Sequence, residues 1–94
     1  MLTVSEKKKL KSLAHHLKPI VQIGKRGFSD TLLKEVEAAL LAHELIKVKI
    51  HESAHDAQEA ILKSIGQGTE AEVIEMKGHV ATLYRRHPDN PQIL

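Results

Sequence analysis

Leu45-Ile46-Lys47-Val48-Lys49-Ile50-His51 alternates apolar and basic side chains. The period of two places Ile46, Val48 and Ile50 on one face of a strand and Lys47, Lys49 and His51 on the other. A strand buried on both sides would run apolar throughout, so this one predicts a sheet with one face covered and the other partly solvated. Immediately upstream the period is helical. Leu32, Leu33, Val36, Ala39 and Leu40 recur at that spacing, Ser29 stands as N-cap, Asp30 places a negative charge in the first turn and His43 a potential cation near the end. A helix leading into a half-covered strand sets an α/β architecture.

Working outward, Ile20-Val21-Gln22-Ile23 reads as a short strand ended by Gly24. Before it, Thr3-Val4-Ser5-Glu6 has the form of a capping box, and Leu10, Leu13, Ala14 and Leu17 make a helical stripe predicted to face a core, with the lysines on the wet side and Pro19 as the stop. Downstream, Ser53-Ala54-His55-Asp56 can cap a third helix through Ala57, Ala60, Ile61 and Ile65, expected to stop near Gly66 and Gly68. Ala71 to Met76, a turn at Lys77-Gly78, and His79 to Tyr84 then read as a hairpin whose first strand is made irregular by Glu72 and Glu75. Arg85, Arg86 and the segment bearing Pro88 and Pro91 are expected to fray. The order α-β-α-β-α-β-β predicts one domain over residues 1–86 with a short tail at 87–94, its helices packed mainly on one face of the sheet.

With 94 residues the chain fits a single small domain with a thin core. The absence of cysteine excludes disulfides, thiolate zinc sites and cysteine nucleophiles, and agrees with a reducing cytoplasm. The longest apolar run, Ala38 to Ala42, is far too short to span a bilayer, and Met1-Leu2-Thr3 followed by charge is not a signal-peptide pattern. A soluble, cytoplasmic protein without a membrane partner is expected. Net charge is only +2, but seven basic residues face two acidic ones up to Asp30, leaving the remainder net acidic. Such an asymmetry predicts one anion-attracting surface.

Gly24-Lys25-Arg26-Gly27 falls between the first strand and the second helix, where two glycines can take positive φ and bring backbone N–H groups close to a phosphate. Lys25 and Arg26 add charge, and the second helix directs its N-terminus nearby. A strand-to-helix turn carries two glycines often enough that the tetrapeptide alone is weak, and it lacks the form of a nucleotide-triphosphate loop. Lys7, Lys8, Lys9 and Lys11 form a run without balancing acids after Glu6, either a solvated helix face or part of a polyanion-binding surface. His51-Glu52-Ser53-Ala54-His55 matches the zinc-protease pattern letter for letter. That mechanism needs both histidines one turn apart on a continuous helix, whereas here the first ends a strand, so capping or solvated roles are expected and no metal. Phe28 and Tyr84 are the only aromatics; Phe28 is expected to anchor a helix start, and Tyr84 either packs or stacks on a base. Two aromatics cannot supply the multi-base platform of an RRM.

Three separated motifs, Ile20 to Gly27, His43-Glu44-Leu45-Ile46-Lys47-Val48-Lys49, and Gly78-His79-Val80 leading to Leu83-Tyr84-Arg85, together resemble the CRM domain. Over about residues 3–86 the chain resembles the stand-alone bacterial YhbY family. One departure is Glu75-Met76-Lys77, more polar than the strand the family usually has there. The resemblance implies a four-stranded mixed sheet, similar to the C-terminal domain of translation initiation factor three, and RNA binding through a GxxG loop comparable to that of KH domains. It also implies a link to precursors of the large ribosomal subunit, with ribosomal RNA as partner. On that basis Gly24, Lys25, Arg26 and Gly27 form the contacting loop. Lys7, Lys8, Lys11, Lys47 and Lys49 extend the surface by the charge argument alone. No catalytic residue, cofactor or enzyme activity is implied, and a monomer is expected although the oligomeric state stays open. The rival readings are a protein-interaction module docking on a ribosomal protein or assembly factor through the acidic two-thirds, and the metalloprotease.

Overall fold

The computed structural model describes residues 2–24, 29–51 and 55–94. Its elements run α1 (Val4–Ala14), β1 (Val21–Ile23), α2 (Asp30–His43), β2 (Leu45–Ile50), α3 (His55–Thr69), β3 (Glu72–Lys77) and β4 (Val80–Tyr84). The strands form one sheet in the order β1-β2-β4-β3. β1 and β2 are parallel, as a connection through α2 requires, and the other pairs are antiparallel. The sheet is therefore mixed.

The period-two reading of β2 holds. Ile46, Val48 and Ile50 join Val21 and Ile23 of β1 and Ala81 and Leu83 of β4 on one face, closed by Leu32, Val36 and Leu40 from α2 and Leu62 and Ile65 from α3. A second, smaller cluster lies on the opposite face, where α1 sets Leu10 and Ala14 over Leu45, Ile74 and Tyr84. Two helices cover one face and one helix covers part of the other.

Both expected caps that lie among the described residues form. The Thr3 hydroxyl accepts from the Glu6 N–H at 3.0 Å while the Glu6 carboxylate accepts from the Thr3 N–H at 2.9 Å, and the Ser29 hydroxyl accepts from the Leu32 N–H at 3.1 Å. The expected cap of α3 at Ser53, and the helix-start anchor at Phe28, lie outside the described residues.

Several expectations are corrected. Leu13 and Leu17 are 44% and 38% exposed; α1 ends at Ala14 and meets the sheet only through Leu10 and Ala14, one turn apart, so the rest of the stripe projects past its edge. Ile20 falls outside β1 and is also exposed. α3 ends at Thr69, one residue past Gly68 and so near its glycines as expected, although neither glycine is itself the stop. A Cβ on Gly68 would stand 2.8 Å from Leu33 Cδ1, so the glycine serves close approach to α2, and the left-handed residue after the helix is Glu70, at φ 58°. The hairpin irregularity is a register shift between Val73 and Glu75. It lets Ile74 reach the α1 side, where it is buried. The turn is as expected, with Gly78 at φ 57°.

The chain end does not fray. The Arg85 N–H donates to the Glu44 carbonyl at 2.9 Å, and its guanidinium pairs with Glu37 and caps α3 by donating to the Thr69 carbonyl at 2.9 Å. Beyond it the Glu44 carboxylate accepts from the N–H groups of His87 (2.8 Å), Gln92 (2.7 Å) and Ile93 (3.2 Å). One buried side chain thus ties down the proline-bearing segment.

Candidate nucleic-acid interface

The face that α1 leaves uncovered is laid out by strand register. Leu45 of β2 pairs with Tyr84 of β4 in the row beneath α1. One step along, Lys47 pairs with Thr82 and Thr82 with Glu75. At the open end, Gln22 of β1, Lys49 of β2, Val80 of β4 and Lys77 of β3 form a continuous cross-strand row. Side chains two residues apart on a strand share a face, so the three rows grade from apolar to cationic as the helix gives way to solvent.

A cleft of about 520 Å³ marks the boundary, where Lys11 and His15 at the end of α1 and Pro19 face Lys47, Lys77, Glu75 and Thr82. Glu75 is its one carboxylate and sits 3.6 Å from the Lys77 ammonium. Lys11 and Lys47 remain without an acidic partner within salt-bridge distance among the described residues. Lys8 lies on the same helical stripe as Lys11 and His15, and Lys7 one turn before Lys11; both are exposed. Lys9 turns away and donates to the Ile93 carbonyl at 3.1 Å.

Gly24 follows β1 at the edge where Lys49 lies near the end of β2 and His51 follows it, and the His51 N–H donates to the Ile23 carbonyl at 2.8 Å. Gly24 does not use its conformational freedom: it is exposed, its φ is outside the left-handed range, and an added Cβ would meet none of the described residues within 4 Å. Nothing among the described residues demands a glycine there, so the expected positive φ is not what the residue supplies. Lys25, Arg26 and Gly27 lie outside the described residues.

Of the sequence-predicted set, the fold brings Lys11, Lys47 and Lys49 onto one face with Gly24 at its rim, and leaves Lys7 and Lys8 on the helix flank. Sequence reasoning missed Lys77 as a member of this face, and had His15 only as latent charge on the basic N-terminal third. The placement of Lys77 depends on β3 pairing with β4, and strand order leaves no trace in local periodicity. Tyr84 packs and does not stack: it is buried beside Leu10 and Leu45, and its hydroxyl has no partner among the described residues.

The zinc-protease pattern is not assembled on one helix. His51 follows β2 and shares a hydrogen bond of 3.0 Å with Gln22, while α3 begins at His55, and Glu52 lies outside the described residues. No group of three metal-ligating side chains occurs among the described residues. No helix of the described residues is long and apolar enough to cross a membrane.

Fold and surface together define a small α/β domain with a half-covered sheet whose open end is lysine-rich. The chain belongs to the CRS1 / YhbY (CRM) domain family, which it matches over residues 2–85. It is 36% identical over 93 residues to a protein of Bacillus subtilis named a probable RNA-binding protein, YqeI, covering 99% of this chain and 97% of that one. A protein of Haemophilus influenzae named RNA-binding protein is 42% identical over 87 residues, covering 90% and 88% respectively. Among solved structures, the solution structure of the Staphylococcus aureus protein SAV1595, described as a suspected RNA-binding protein, superposes with a TM-score of 0.85 at 33% identity over 100% of this chain and 98% of that one.

Proposed function

We propose that this protein is a non-enzymatic RNA-binding protein that contacts structured ribosomal RNA through its phosphates while the large ribosomal subunit is assembled. The loop Gly24-Lys25-Arg26-Gly27 approaches the backbone, and Lys11, Lys47 and Lys49 with Lys7 and Lys8 extend the contact. The observation that carries this reading is the register row Gln22–Lys49–Val80–Lys77 beside the Lys11–Lys47 cleft, a cationic surface on the open half of the sheet. The names of the relatives support RNA as the polyanion.

Phosphate-directed contact predicts steep salt dependence, because each neutralised phosphate releases counterions. The test is fluorescence anisotropy with a fragment of large-subunit ribosomal RNA at several salt concentrations. Lys25→Asp/Arg26→Asp, shown folded by circular dichroism, is expected to lose most binding, and Lys49→Ala to weaken it and flatten the logarithmic salt slope by about 1. Salt-insensitive binding, or full binding by the loop variant, overturns the mechanism. The assembly role predicts nuclease-sensitive co-sedimentation with precursor large subunits; association that survives nuclease would point instead to a protein partner.

A further inference from the structure

Beside the cationic cleft lies a second concavity of about 470 Å³ that shares only Lys47 with the phosphate contacts. Its floor is apolar: Leu13, Leu17 and Ile20, which are 44%, 38% and 53% exposed, meet Leu45 at the start of β2. Its polar lining is made only of His16, Lys18, His43 and Lys47, with no carboxylate. Lys47 lines the cleft as well as this groove. His15, in the cleft, and His16, in the groove, hold their rings edge to face with centroids 5.3 Å apart. The two concavities are therefore neighbours separated by one pair of rings.

We propose that this groove takes an unpaired base of the bound RNA, seated on Leu13, Leu17 and Ile20 against the His16 ring, while the adjoining phosphate lies on Lys47 or Lys18. The inference rests on the RNA-binding reading and adds to it a preference for single-stranded over fully paired RNA. Charge selects the occupant. An apolar floor with two lysines and two imidazoles at its rim and no carboxylate among the described lining residues, continuous with a phosphate-binding face, matches a nucleotide, which presents an apolar ring and an anion together. A single base also suits a short groove with one imidazole ring at its wall.

The experiment measures anisotropy of wild-type protein with two RNAs sharing one stem, a hairpin with a single-stranded loop and the blunt duplex, and then with the hairpin made abasic at each loop position in turn. A seated base predicts tighter binding of the hairpin and about a tenfold loss at one or two abasic positions. Leu13→Ser/Leu17→Ser changes only exposed side chains, and its folding is checked by circular dichroism. It is expected to lose about tenfold on the hairpin relative to the duplex and to be insensitive to the abasic substitution that hurts wild type. Equal binding of hairpin and duplex with a flat abasic scan overturns the groove while leaving phosphate-directed RNA binding standing. Failure to bind either RNA overturns the RNA-binding reading itself. Sedimentation showing a wild-type dimer that Leu13→Ser/Leu17→Ser makes monomeric would assign the groove to a second copy and overturn the base site.

Discussion

The two faces of the sheet are built from the same strands and divided by single-residue steps, yet one is dry and the other half wet. On the α2/α3 side twelve buried residues interlock through three strands and two helices. On the α1 side five of the described residues do so, and the uncovered part carries mainly polar side chains, among them Lys47, Lys49, Lys77, Gln22, Thr82 and Glu75. In a domain this small the core that can be built is limited, and concentrating it on one face leaves the other partly solvated. The lesson is that burial and exposure are assigned to alternate residues of one strand, and the proposed function places recognition on the exposed set.

The largest expected effect tests that division on neighbouring residues of β2. Ile50 is fully buried and Lys49 exposed on the opposite face. Ile50→Ala is expected to remove about 2–5 kcal/mol of unfolding free energy in urea titration, through lost burial and a residual cavity. Lys49→Ala should stay within about 0.5 kcal/mol. Similar losses in the two variants would break the claim that the faces have separate tasks.

How much of this was legible in the sequence follows from whether the signal is local. The Thr3–Glu6 box, the Ser29 cap, the alternation of β2 and the irregular β3 each depend on residues within a few positions of one another, and each is present in the structure. What was not legible depends on contacts distant along the chain. Gly66 and Gly68 look like a helix stop, but Gly68 answers to Leu33 on another helix. Arg85 reads as tail, but Glu37 and Thr69 fix it. The same holds for the site: Lys47 and Lys49 announce themselves by alternation, whereas Lys77 joins them only through strand order. Lys25, Arg26 and Gly27 lie outside the described residues and stand on the motif and the resemblance.

Glu44 shows the smaller face borrowing strength from a buried carboxylate. It leaves α2 at φ 62°, a costly backbone for a residue other than glycine, and its side chain collects the three tail N–H groups. Burial disfavours its ionised form, but the donors from His87, Gln92 and Ile93 outweigh this and hold its pKa below the ordinary glutamate value. A carboxyl whose folded pKa is depressed contributes stability above its unfolded pKa, and that contribution is lost as pH falls through the folded value. Glu44→Gln is therefore expected to cost about 1.5–3 kcal/mol near neutral pH. It should also speed amide exchange at His87, Gln92 and Ile93, and the difference from wild type should shrink in acid. Unchanged exchange at those amides would show that the tail is held by Leu2, Ile93 and Leu94 packing on the α1 cluster and not by the carboxylate.

The smallest effect has the opposite sign and separates packing from polarity within that same cluster. Tyr84 is 5% exposed beneath α1, and its hydroxyl is the one buried side-chain polar atom without a partner among the described residues. Burial, reinforced by the nearby Glu44 charge, pushes the phenol above its usual pKa, so the group stays neutral in solution near neutral pH. The ring supplies the packing against Leu10 and Leu45, while the oxygen has given up water without regaining a hydrogen bond. Tyr84→Phe keeps the first and removes the second, so stability should be unchanged or rise by up to about 1 kcal/mol, with RNA binding unaffected because the row that holds Tyr84 lies under the helix. A loss of more than about 1 kcal/mol on urea denaturation would mean the hydroxyl is satisfied in solution, by ordered water between α1 and the sheet, and that the covered half of this face is wetter than the other core.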